Sequence, residues 1–318
     1  MSSEAGGFRL EASVKLEVIS LLTGHYTPLR KPPFKKPTPN ELIMTDILKQ
    51  ITDARLRDIQ TSAVPKHELP ARIADRHDHR PFRAALQRKM ETGRAAAMTG
   101  PTAAIIAEIK RGSPAKGLFA PDLDPAAFAR DYETGGAACL SVLTEPHWFF
   151  GSPDDLVAAR NHCGLPVLQK DFIVTEQQIL EAAVVADAVL LIARCLEPSQ
   201  LADWHALATE HRLDVLVEVF DERDAEQIAP FHFPLIGINH RNLATMQIDL
   251  ARSKALLAAF APDQTVVAAS GITCRADIES LMALGIRSFL VGESLSTSPN
   301  RVALLQELVS HQGFGARD

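Results

Sequence analysis

Eight short apolar runs, beginning roughly 20 to 35 residues apart with a helical pattern between each pair, constrain this fold more than any other feature. They are Ala104–Ile109, Cys139–Leu143, Pro166–Gln169, Ala188–Ile192, Val215–Val219, Leu235–Ile238, Val266–Ala269 and Ser288–Val291. Each is too short for a helix and apolar almost throughout, the pattern of a strand buried on both faces. Strands of that kind separated by helices pair in parallel, and eight βα units predict an α/β fold closed into a (β/α)8 TIM barrel. An open doubly wound sheet competes, but its GxGxxG turn is absent after the first run, which continues as Lys110-Arg-Gly-Ser-Pro.

Composition removes several classes of function. Hydrophobic residues make up 46% and charged residues 23% of the 318, which excludes a largely disordered chain. With 33 Lys+Arg against 39 Asp+Glu the formal net charge is −6, which argues against a nucleic-acid partner. Small phosphorylated ligands stay open, because a few placed cations and backbone N–H groups suffice for them. No apolar run reaches the roughly 18 residues of a membrane span. Cys139, Cys163, Cys195 and Cys274 are far apart and form no CxxC pair, so no disulfide framework or metal cluster is expected. Free thiols fit a cytoplasmic protein.

The N-terminal stretch obeys other rules. Phe8–Val18 alternates like a strand without an adjacent partner, and Arg9, Glu11, Lys15 and Glu17 break any secretory signal. Five prolines between Pro28 and Pro39 block a helix and read as an extended linker. From Met44 onward, Thr45-Asp46 is placed to cap a helix whose apolar positions are Ile47, Leu48, Ile51, Leu56 and Ile59. Residues 1–43 are therefore read as a Pro-rich, poorly ordered extension, and residues 44–318 as the barrel preceded by an extra helical segment.

In a barrel the active site lies where the strands end. Here the runs end in Glu108 and Lys110, Thr144-Glu145, Lys170-Asp171, Glu218, Asn239-His240-Arg241, Ser270-Gly271 and Gly292-Glu293-Ser294. An ionisable group at the end of a buried strand is costly unless paired or used. Its recurrence at the same end of several runs points to one shared site. Gly271 and Gly292, after the seventh and eighth runs, let backbone approach a ligand where barrels commonly cradle phosphate.

These segments also carry a resemblance. IIAEIKRGSPAKG (Ile105–Gly117), SVLTEPHWFFGS (Ser141–Ser152), PVLQKDFIV (Pro166–Val174), LVEVFDE (Leu216–Glu222), GINHRNL (Gly237–Leu243) and FLVGESL (Phe289–Leu295) resemble the indole-3-glycerol phosphate synthase family of tryptophan biosynthesis, in order from about Met44 to the C-terminus. The resemblance implies a carbon–carbon lyase. It closes the indole ring of an anthranilate-derived deoxyribulose 5-phosphate with loss of carbon dioxide and water, and needs no metal or organic cofactor. The implied partner is that small-molecule substrate alone, on a monomer or weak homodimer.

By resemblance, Lys170 is the general acid of ring closure and Glu218 the base of dehydration. Lys110 lies near the substrate's anionic groups as a second acid, and which lysine acts at which step is left open. Glu108 would hold a lysine, and Asn239 and Arg241 would position the substrate. Ser113, Ser270, Gly271, Gly292 and Glu293 would line the phosphate site, Glu293 through its backbone N–H. Leu143, Phe149, Phe172 and Leu191 would wall the anthranilate ring. His240 reads as a loop residue.

One departure stands out. The family pattern at the seventh strand is Glu-Ser-Gly-Ile, and this chain has Ala269-Ser270-Gly271-Ile272. The missing carboxylate raises an alternative, a catalytically weakened or binding-only homologue. A different sugar-phosphate barrel enzyme, such as an Amadori isomerase, would share the cradle without needing both Lys170 and Glu218.

Overall fold

Apolar runs become strands here because each buries both faces, one against helices and one inside a ring. The computed structural model describes residues 39–60, 65–95, 102–242 and 246–310. The alternating segment Phe8–Val18 and the rest of residues 1–38 lie outside them. The strands are β1 (Ala104–Ile109), β2 (Cys139–Leu143), β3 (Val167–Lys170), β4 (Ala188–Ile192), β5 (Asp214–Val219), β6 (Leu235–Asn239), β7 (Thr265–Ala269) and β8 (Ser288–Val291). Each pairs in parallel with its sequence neighbours, and β8 pairs with β1, from Ala104 opposite Ser288 to Ala107 opposite Val291, so the barrel is closed.

Alternation along the strands divides the core into two shells. Ile105, Ala107, Val142, Leu191, Val217 and Phe289 face the helix layer. Ile106, Leu168, Leu190, Leu216, Val267 and Leu290 face the barrel interior. Both sets are buried, and each such side chain contributes about 1.5–3 kcal/mol relative to exposure.

Three helices precede β1: α1 (Pro39–Gln60), α2 (Leu69–Ala74) and α3 (Phe82–Ala95). Helix α1 starts at Pro39, ahead of the Thr45-Asp46 cap expected from sequence. Proline suits a first helical position, where its missing N–H has no partner to lose. Phe82 and Leu86 of α3 close the interior from the N-terminal ends of the strands. At that same end the buried Asp187 carboxylate accepts from Arg76 Nη2 at 2.5 Å, Arg160 Nη2 at 3.1 Å, and the backbone N–H groups of Arg80 and Val167 at 3.1 and 3.0 Å. Those donors offset the cost of burying the charge, and they tie α2 to the barrel on the face away from the site.

The outer helices are α4 (Pro125–Thr134), α5 (Pro153–Asn161), α6 (Glu176–Val185), α7 (Pro198–Glu210), α8 (Glu222–Ile228), α9 (Arg252–Leu256), α10 (Arg275–Met282), α11 (Glu293–Ser296) and α12 (Arg301–Val309). Their starts follow capping chemistry. Asp124, Ser152 and Asp221 accept from the N–H groups of Ala126, Asp154 and Asp224, and Thr175 forms a capping box with Gln178. No helix among the described residues is long and apolar enough to cross a membrane.

Candidate active site

The inward positions that are aliphatic deeper in the barrel become polar at the C-terminal ends of the strands. On β1, Glu108 is buried and accepts a hydrogen bond from Lys110 Nζ. Gly292, just after β8, gives that pair its space: a Cβ there would stand 2.1 Å from Glu108 Oε1 and 2.9 Å from Lys110 Nζ. Across the mouth, Lys170 Nζ at the end of β3 lies 3.4 Å from Glu218 Oε2 on β5. The other carboxylate oxygen of Glu218 accepts from Asn239 Nδ2 at 3.2 Å. Asn239 Oδ1 in turn accepts the backbone N–H of Arg241 at 3.0 Å. A donor ammonium thus sits beside an oriented acceptor carboxylate, the equipment for moving a proton out to a ligand and back.

These groups surround a cavity of about 890 Å³, counting its space open to solvent. Glu108, Ser113, Lys170, Glu218, Asn239 and Arg241 line it, with Ser270 and Ala269 on the β7 side. Leu143, Phe149 and Phe172 make part of its apolar wall, and the Phe149 and Phe172 rings lie 6.0 Å apart with a 36° tilt. Leu191 does not belong to that wall. It points outward to the helix shell, and its neighbours Leu190 and Ile192 line the cavity instead. In a run apolar at every position, parity has to come from the fold.

The remaining candidates stand at the margin. Lys110 and Gly292 adjoin the cavity through Glu108. The Glu293 carboxylate turns to Lys116 Nζ at 2.6 Å. Gly271, at φ +82, packs against Ile248, where a Cβ would meet Ile248 Cγ2 at 2.2 Å.

Two rim carboxylates serve structure. Glu145 is fully buried and accepts the backbone N–H groups of His147, Trp148 and Phe149 at 2.8, 2.8 and 2.9 Å, which folds the loop that delivers Phe149. Asp171 is 1% exposed and takes both Nε and Nη2 of Arg55 at 2.9 and 2.8 Å, with Thr144 Oγ1 at 2.6 Å. That forked bond ties α1 to the rim, and Ile47, Leu48 and Ile51 of α1 complete the apolar lining. The helical spacing of these three was visible in sequence, but their destination was not.

Burial pushes the Cys195 thiol, beyond β4, up to about 12, so it is an inert neighbour of the site. His240 is fully buried, not an open loop residue. Among the described residues no cluster of three His, Cys, Asp or Glu side chains is placed to hold a metal ion.

Comparison with known proteins bears on this geometry. The family model described as Indole-3-glycerol phosphate synthase matches residues 48–308. A protein of that name from Desulfosudis oleivorans is 45% identical over 270 residues, spanning 84% of this chain and 100% of its own length. One from Neisseria meningitidis is 43% identical over 260 residues, covering 81% and 96% respectively. One from Leptothrix cholodnii is 42% identical over 256 residues, covering 79% and 94%.

Proposed function

The chain belongs to the indole-3-glycerol phosphate synthase family, and from that premise we propose how its rim performs the reaction. The activity is a decarboxylating, dehydrating ring closure of an anthranilate-derived deoxyribulose 5-phosphate. The aryl carbon bearing the carboxylate attacks the ketone carbon, and Lys170 gives a proton to the ketone oxygen as charge develops there. The carboxylate then leaves as carbon dioxide, and its bonding pair restores the aromatic ring. The new hydroxyl leaves as water on taking a proton from an acid, and Glu218 accepts the last proton as the indole forms. Lys110, held by Glu108, is the second acid and faces the anionic end of the substrate. Asn239 aims the Glu218 carboxylate, and Arg241 offers a forked donor to the substrate.

The apolar wall of Leu143, Phe149, Phe172, Leu190 and Ile192 takes the anthranilate ring. The loops after β7 and β8, with Ser113, take the phosphate. The protein works on this small molecule in the cytoplasm, as a monomer or weak homodimer, with the residues ahead of α1 an accessory extension.

One observation carries this reading: Lys170 and Glu218 meet at 3.4 Å on the cavity wall while Asn239 occupies the other carboxylate oxygen. The test is to supply the substrate to folded protein and follow indole fluorescence. Wild-type turnover is expected and would dismiss the binding-only alternative that Ala269 raised; folded protein without turnover would reject the assignment. Ala269→Glu, run beside it, shows what the missing carboxylate contributes.

A further inference from the structure

We propose that His240 is a positioning residue for the phosphate end of the site, its imidazole holding the Ser270 carbonyl and with it the Ser270–Gly271 turn. The inference rests on the reading that the loops after β7 and β8 receive the phosphate.

His240 follows Asn239 directly, and its backbone N–H donates to Ala269 O at 2.9 Å, extending the β6–β7 pairing by one step. Its side chain is wholly buried, with Nδ1 3.1 Å from Ser270 O and Nε2 2.6 Å from Ser253 Oγ. A carbonyl can only accept, so Nδ1 carries the hydrogen and Nε2 accepts from the Ser253 hydroxyl. Burial lowers the pKa of the ring from its ordinary value and outweighs the bond to the Ser270 carbonyl, which favours the charged form; Arg252 adds to the lowering and Asp249 opposes it.

What the imidazole holds is unusual. Ser270 has φ +69 and Gly271 φ +82, two consecutive residues in the left-handed region. Glycine takes that conformation freely, but serine keeps it only when its surroundings impose it. The turn is held on one side by the His240 Nδ1–H bond to Ser270 O, and beyond it by Ser294 Oγ donating to Ile272 O at 3.1 Å. Ser253, also fully buried, anchors the far nitrogen from α9. A line of direct bonds therefore runs from α9 through His240 to a residue that lines the cavity. His240 does not touch the reacting atoms. It sets the shape of the backbone that meets the phosphate.

The test compares His240→Asn with His240→Gln in the full chain. The Asn side-chain N–H falls where Nδ1–H lies and keeps the bond to Ser270, whereas the Gln amide reaches the Nε2 position and keeps only the Ser253 side. Substrate titration, competition by inorganic phosphate and thermal unfolding are measured for both variants and wild type. Gln is expected to raise KM and the phosphate inhibition constant together by about three- to tenfold, the worth of one hydrogen bond, with kcat nearly unchanged. Asn is expected to stay close to wild type. Equal KM values for the two variants, or melting losses without a KM change, would overturn the role. Wild-type turnover that phosphate fails to inhibit would instead overturn the cradle reading itself, and the proposal with it.

Discussion

Lys170 and Glu218 reach one another at 3.4 Å from strands that are not neighbours. β4 stands between β3 and β5, and its inward residues Leu190 and Ile192 line the same cavity. The long lysine stem closes the gap. The barrel thus brings two charged groups together across an intervening strand whose inward side chains are apolar.

Lys170→Met should lower kcat by about 100-fold or more, the scale of losing a positioned general acid. The melting temperature should move by less than about 4 °C, because Lys170 is partly exposed and Glu218 keeps Asn239. Stopped assays beside calorimetry check both halves. A large melting loss would mark the pair as structural.

Arg55→Met should cost about 3–5 kcal/mol in denaturant unfolding, because it leaves the Asp171 carboxylate buried without its cation. It should also raise KM, since α1 carries Ile47, Leu48 and Ile51 over the cavity. Unchanged KM in a destabilised protein would separate the tether from substrate binding.

Gly292→Ala should fold and lose turnover. Its methyl would stand 2.1 Å from Glu108 Oε1, and a flexible carboxylate tip yields where backbone would not. The displaced Glu108 then releases Lys110. A fall in kcat of about tenfold, equal to about 1.4 kcal/mol, with little change in melting temperature is the expected outcome.

Acid should unfold the protein partly through Asp78. Its hydrogen bond from Arg160, opposed by burial and aided by Arg76, lowers its carboxyl from 3.8 to about 2. Between those values the unfolded chain binds the proton that the folded chain refuses, so stability falls as pH drops through that window. Asp78→Asn should flatten the dependence of melting temperature on pH there.

Much of this was legible because burial and charge leave marks on a sequence. The eight strands announced themselves as apolar runs, and Glu108, Lys170, Glu218 and Asn239 as polar residues at their ends. Orientation within β4 was not legible: Ala-Val-Leu-Leu-Ile is apolar at every step, so Leu191 could not be told from Leu190 and Ile192. Nor was the bond between Arg55 and Asp171, 116 residues apart, since nothing local to either residue names the other. His240 looked like a loop residue because its two partners, Ser253 and Ser270, come from separate segments.

The separation of the core into two shells bears on redesign. Leu190, Ile192 and Ala269 all face inward, while the side chains that fasten the helices face outward from the same strands. Reshaping the cavity for a bulkier aromatic amine therefore means exchanging those inner residues alone, with the attachment of the helices left in place.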